Sequence, residues 1–241
     1  GPELPVWEVI TESSNLGTAR IAKMIGPEKQ REFLSSLGFS KPTTIEMIEA
    51  NGGKPLLPKR WNELETMTIS YGHGLSATPL HLATGYATLA NGGRLVNPTL
   101  LQEVKPVLGP RVISKEVAEN SLAMLRGVVT GGTASLADVD GYFVGGKTGT
   151  ADKPSSQGGY DKEKNITNFA SIFPINEPKY VLIVTLDEAQ DTSGPEPKRT
   201  AGWTAVPVSA EIIARVAPLL GLRPKFDNHS TIGITLSNWQ E

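Results

Sequence analysis

The stretch Gly145-Gly146-Lys147-Thr148-Gly149-Thr150-Ala151 constrains this chain more than any other. It follows Gly141-Tyr142-Phe143-Val144, whose aromatic and branched side chains predict a β-strand. A lysine, two hydroxyls and a glycine are therefore expected at the end of a strand. Residues two apart in a strand share a face, so Thr148 and Thr150 project together and Lys147 to the other side. Gly149 has no side chain, which lets a second backbone or an extended ligand come close. The combination suits a carboxylate held against a strand edge. Taken alone, the tripeptide reads as a strand ending in a polar turn, and only a second motif can reverse that.

The segments around it set what that strand can pack against. Helical spacing predicts helices over 5–12, 16–24 and 27–37, the last closed by Gly38. Residues 40–62 have no period and contain Asn51-Gly52-Gly53 and three prolines, which predicts an extended surface loop. Thr78-Pro79 opens a helix to about Asn91, with Leu82, Tyr86 and Leu89 as its buried face. Residues 100–107 form a candidate strand, and Ser114 caps a helix over 115–129. Asn168–Ile175 and Tyr180–Leu186, joined by Asn176-Glu177-Pro178, predict an antiparallel hairpin. Segments 152–165 and 188–203 read as polar loops, the first holding Tyr160 and the second carrying Glu188 and Asp191 as solvated charges beside Asp187. A helix over 206–220 follows, with Trp203 packed near its start. His73 is expected in a loop and His81 on a helix surface. Strands late in the chain with helices before and after them predict an α/β domain of α+β layers, its antiparallel sheet covered by helices on both faces.

Composition excludes several classes of function. The 241 residues carry 23 Lys+Arg against 25 Asp+Glu, a net charge of −2, and no long block of one sign. No nucleic-acid or membrane-surface partner is expected from that balance. With no cysteine, zinc–thiolate sites, disulfides and a thiol nucleophile are impossible. His73, His81 and His229 do not group at metal-ligand spacing, so no metal and no cofactor is expected. No stretch approaches the ~18 apolar residues of a membrane span, so any export signal or anchor is expected outside this chain.

A second motif changes the weight of the first. Ser13-Ser14-Asn15, between two predicted helices, reads alone as a helix cap. Paired with Lys147-Thr148-Gly149, it supplies two of the three pieces of an acyl-transfer motif set. Further blocks agree: Val6-Trp7-Glu8-Val9, Leu16–Ala22, Tyr71-Gly72-His73-Gly74-Leu75, Thr78–Ala83, Tyr86–Ala90 and Gly146–Ala151. In order and spacing these resemble class B penicillin-binding proteins of the cell-division type, over about residues 5–222.

The resemblance implies a D,D-transpeptidase on the fold shared with serine β-lactamases, cross-linking septal peptidoglycan through a serine acyl-enzyme. It implies a stem peptide ending in D-alanyl-D-alanine as substrate, β-lactams as ligands and division-machinery proteins as partners, at the periplasmic face of the inner membrane. By position in the motifs, Ser13 would relay a proton to the leaving amine, and Asn15 would hold the catalytic lysine and a substrate amide. Lys147 would be the second charge of the site; Thr148, Gly149 and Thr150 would bind the terminal carboxylate, with the Thr150 N–H in the oxyanion hole.

The family's Ser-x-x-Lys is absent: no lysine here has a serine three positions earlier, and only Thr150-Ala-Asp-Lys153 places a hydroxyl there. The expectation is therefore a partial transpeptidase domain over 1–223, followed by a tail over 224–241. It would lack the nucleophile and the first sheet strands, and would be inactive by itself. A β-lactamase or D,D-carboxypeptidase on the same fold is one alternative. A silent scaffold that only binds cell-wall peptide or division proteins is another.

Overall fold

A computed structural model describes residues 3–43, 45–102 and 109–226. Short polar side chains start most of its helices. Helix α1 spans Val6–Thr11 and α2 Asn15–Ile25, where the Ser14 hydroxyl accepts from the Gly17 N–H at 3.2 Å. Ser14, not Asn15, is thus the cap. Pro27 begins α3 (Pro27–Ser36). Helix α4 (Glu63–Ser70) is one the pattern above does not assign. Its signal is the capping box of Asn62 and Glu65, each binding the other's backbone. Thr78 and Ser114 cap α5 (Pro79–Ala90) and α6 (Lys115–Thr130) as expected.

The sheet has three antiparallel strands in the order β1-β2-β3: Gly145–Pro154, Tyr160–Phe173 and Tyr180–Asp187. Helix α7 (Ala205–Leu219) closes the chain's regular structure. Alternation along β2 divides the core. Phe169 and Phe173 pack with Val206 and Ile213 of α7, together with Val128, Val129 and Val144. Ile172, with Ile175 beyond the strand, packs on the other side with Leu125 of α6 and with Tyr86 and Leu89 of α5. Helices therefore cover both faces, as the layer pattern predicts.

Four expectations are corrected. Residues 141–144 are not a strand. Gly141 and Phe143 have left-handed φ of 83° and 44°, and pairing starts only at Gly145 opposite Ile172. Tyr142 and Val144 are apolar because they are buried, and the Val144 carbonyl is taken by Arg126 Nη1 at 2.8 Å. The motif thus lies inside β1, near its start. Next, most of the polar loop over 152–165 is strand: β1 and β2 extend past the core as a ribbon turning at 155–159. Polar residues on both faces of that ribbon hide the period-2 signal. Asp152 pairs with Asn165 and Lys153 with Asp161, so Lys162, Glu163 and Lys164 form a bulge.

His81 is the third correction, being fully buried rather than on a helix surface. Its Nε2 donates to the Lys41 carbonyl at 2.7 Å, so Nδ1 accepts from the Thr78 hydroxyl at 2.8 Å. Satisfied on both nitrogens, it takes the most buried side of α5 with Thr84 and Thr88, while Leu82, Tyr86 and Leu89 are only half-buried. Fourth, Trp203 is 44 % exposed, with Lys198 Nζ 3.2 Å above its ring. Of the candidate strand over 100–107, residues 100–102 are irregular and the rest lies outside the described residues, as do 227–241 of the tail.

Candidate active site

The two motifs are 134 residues apart in sequence and in contact in space. Lys147 Nζ donates to Ser13 Oγ at 2.7 Å. Ser13 lies in the turn between α1 and α2 at φ 56°, a left-handed backbone that costs a non-glycine residue about 1 kcal/mol or more. The turn is held by Ser13 N–H to the Ile10 carbonyl at 3.2 Å and Ser14 N–H to the Val9 carbonyl at 2.9 Å. The end of α1 approaches α6 closely. A Cβ on Gly132 would stand 2.5 Å from the Thr11 carbonyl oxygen. That approach carries Ser13 to the start of β1.

Lys147 alternates with its neighbours along β1 as expected, but its long side chain curls back. Besides Ser13, its Nζ meets the Thr148 carbonyl at 3.2 Å and the Thr148 hydroxyl at 3.3 Å. Three acceptors match the three protons of an ammonium. Among the described residues no carboxylate pairs with it. Burial without a counter-charge lowers its pKa from 10.5 to about 8. The group is still mostly charged at neutral pH and gives up a proton far more readily than a surface lysine.

Thr148 and Thr150 share a face, as their spacing predicts. The Thr148 hydroxyl lies 2.9 Å from that of Thr133, and Thr150 Oγ1 accepts the Ala201 N–H at 3.0 Å. Accepting there leaves the Thr150 hydroxyl proton free to be donated. Gly149 presses against the Asn168 side chain, where a Cβ would stand 2.7 Å away. Asn15 opens α2 with an exposed side chain that makes no hydrogen bond among the described residues, so it is not brought onto Lys147 as Ser13 is. Thr133 and Ala201 join the site without having been foreseen. Gly131-Gly132-Thr133-Ala134 reads as a helix stop, and a backbone N–H carries no residue signature.

The constellation is a half-buried ammonium on a serine hydroxyl, beside a strand bearing two threonines. Comparison with known proteins agrees with it. The model of the penicillin binding protein transpeptidase domain matches residues 3–213. The chain belongs to this family. It is the transpeptidase domain region of a class B penicillin-binding protein. The probable peptidoglycan D,D-transpeptidase FtsI of Caulobacter vibrioides is 34% identical over 92% of this chain and 39% of its own length. The apo transpeptidase domain of Burkholderia pseudomallei penicillin-binding protein 3 superposes with a TM-score of 0.82 at 34% identity, over 92% of this chain and 66% of that one. Penicillin-binding protein 3 of Mycobacterium tuberculosis in complex with ampicillin gives 0.78 at 27% identity, over 92% and 52%. The chain spans about two fifths of the length of the curated relatives it matches.

Proposed function

We propose that these residues form the binding and proton-transfer wall of a serine-type peptidoglycan D,D-transpeptidase of septal cell-wall synthesis. One observation carries the reading: Lys147 Nζ on Ser13 Oγ at 2.7 Å, which joins the two motifs around a half-buried cation with no carboxylate partner among the described residues. No Ser-x-x-Lys occurs among the 241 residues, so the reading assigns these residues the binding and proton-transfer roles and not the nucleophile.

In the acylation step the nucleophile's oxygen attacks the penultimate carbonyl and the carbon–nitrogen bond to the terminal D-alanine breaks. The nucleophile's proton passes to the base lysine and on to the leaving amine through Ser13. Lys147 donates into a lone pair of Ser13, which leaves the Ser13 proton for that nitrogen. The Thr150 N–H joins the oxyanion hole, and the hydroxyls of Thr148 and Thr150 take the terminal carboxylate in the field of Lys147. An incoming amine then reverses the path, forming the cross-link and restoring the serine. Asn15, exposed at the mouth of α2, is the residue left to hold a substrate amide. β-Lactams enter as mimics of the same terminus, and the ampicillin complex of a relative supports that ligand class. Division-machinery partners and a periplasmic location belong to this reading as well. No helix among the described residues is long and apolar enough to cross a membrane.

Fluorescent penicillin tests the proposal on the parent protein. Covalent labelling is expected, and Lys147→Ala should slow it by about 10²-fold or more. A parent protein that stays unlabelled sinks the transpeptidase reading and leaves the scaffold. Rapid release of hydrolysed penicillin points to a β-lactamase instead.

A further inference from the structure

The segment after β3 carries polar groups that the reading above leaves unused. Asp191 and Lys198 exchange backbone hydrogen bonds of 2.8 and 2.9 Å, which closes a hairpin and fixes where Arg199 emerges. Arg199 Nη1 then donates to the Lys162 carbonyl at 3.2 Å and to Glu163 Oε2 at 3.4 Å, both in the bulge of β2. In return Asn165, only 5 % exposed, donates from Nδ2 to the Arg199 carbonyl at 3.0 Å. The guanidinium keeps this place although its Nε and Nη2, and Asn165 Oδ1, are buried without partners among the described residues. Such groups cost stability, so packing alone does not call for the arrangement.

The sheet register carries this contact to the site. Asp152–Asn165 and Thr150–Thr167 are successive pairs on one face, two residues apart on each strand. Arg199 holds the first pair. Ala201 and Thr204 hold the second, with Ala201 N–H on Thr150 Oγ1 at 3.0 Å and Thr204 Oγ1 on Thr167 Oγ1 at 2.9 Å. Only Thr200 separates the two attachments. We propose that Arg199, seated through Asn165, is a positioning residue for Thr150. It keeps the Ala201 amide on one side of the Thr150 oxygen, so that the hydroxyl proton is aimed at a ligand carboxylate. The inference rests on the transpeptidase reading and adds to it a residue that touches neither ligand nor reacting atoms.

The test compares acylation of the parent protein by benzylpenicillin and by its methyl ester, each in competition with fluorescent penicillin. Arg199→Ala should slow acylation by the free acid about tenfold, a fraction of what a hydrogen bond to a charged group is worth. Reaction with the ester should be unchanged. Thr150→Val should lower the acid-to-ester ratio likewise, and Arg199→Ala added to it should lower that ratio no further. Where the alanine variant does not fold, Arg199→Lys keeps the charge without the fork and should lose part of the preference for the acid. An acid-to-ester ratio that stays at the wild-type value overturns the inference, whether both rates fall together or neither moves. Wild-type protein that penicillin does not label overturns the transpeptidase reading and this inference with it; labelled protein with an unmoved ratio overturns this inference alone.

Discussion

At the scale of the residue, Lys147 and Ser13 hold opposing costs. Burial lowers the lysine's pKa from 10.5 to about 8, so the folded chain binds that proton less tightly than the unfolded chain does. The penalty is fully present below pH 8 and is relieved as pH rises toward 10.5. Stability measured against a Lys147→Met variant should therefore shift in favour of the wild type across that window, by about 3 kcal/mol at most. Activity should move the other way. Penicillin acylation should fall as pH rises through about 8, where the ammonium on Ser13 is lost, and the variant should lack that limb. Ser13 pays in backbone strain. Ser13→Gly relieves about 1 kcal/mol of strain but removes the acceptor of Lys147, so the thermal midpoint should stay level or fall, while acylation of the parent protein drops by about 10²-fold if Ser13 is the relay. Ser13→Ala, which loses the same hydrogen bond and keeps the strain, should be about 1 kcal/mol less stable than Ser13→Gly, and the difference between the two midpoints reads the strain alone.

At the scale of the element, what brings the motifs together is the approach of α1 to the end of α6 and the turn that follows it. Gly132→Ala sets a Cβ 2.5 Å from the Thr11 carbonyl and 3.0 Å from the Val128 backbone. Neither neighbour is a side-chain end that can swing away. Destabilisation of about 1–3 kcal/mol is expected, with slowed acylation as Ser13 is pushed from Lys147. Calorimetry and penicillin labelling of the same variant of the parent protein would read both.

Helices were legible in the sequence wherever a cap announced them, as at Thr78 and Ser114, and the missed α4 had its cap in plain view at Asn62. The strands were less so. Val144 and Tyr142 are apolar because they fill the core, and Asp152 to Asn165 are polar because their ribbon stands in water. In both places composition reports solvent exposure, while pairing is decided by partners far along the chain. Lys147 and Ser13 could be named from their motifs; Thr133, Ala201 and the burial of His81 could not, since each depends on what another segment brings against it.

At the scale of the whole molecule, the layers predict where stability resides. Phe169, Ile172 and Phe173 lie in the cores on the two faces of the sheet, and beyond Asn165 the ribbon leaves them. Amide hydrogen exchange should be slowest over 169–173 and fastest over 155–164, in a graded order along one strand. Uniform protection along β2 would contradict that division.

The strand order has a further consequence. In β1-β2-β3 only the middle strand is paired on both sides; among the described residues, β1 and β3 each have one neighbour in the sheet. An unpaired strand presents a row of amide donors and carbonyl acceptors that any extended chain can zip onto. On β1 that row belongs to the strand that bears the motif, with two glycines at its start and its charged side chains at Lys147, Asp152 and Lys153. An open edge of this kind takes an extended peptide and a second copy of the strand by the same hydrogen bonds, so under the proposed function the two would compete for β1.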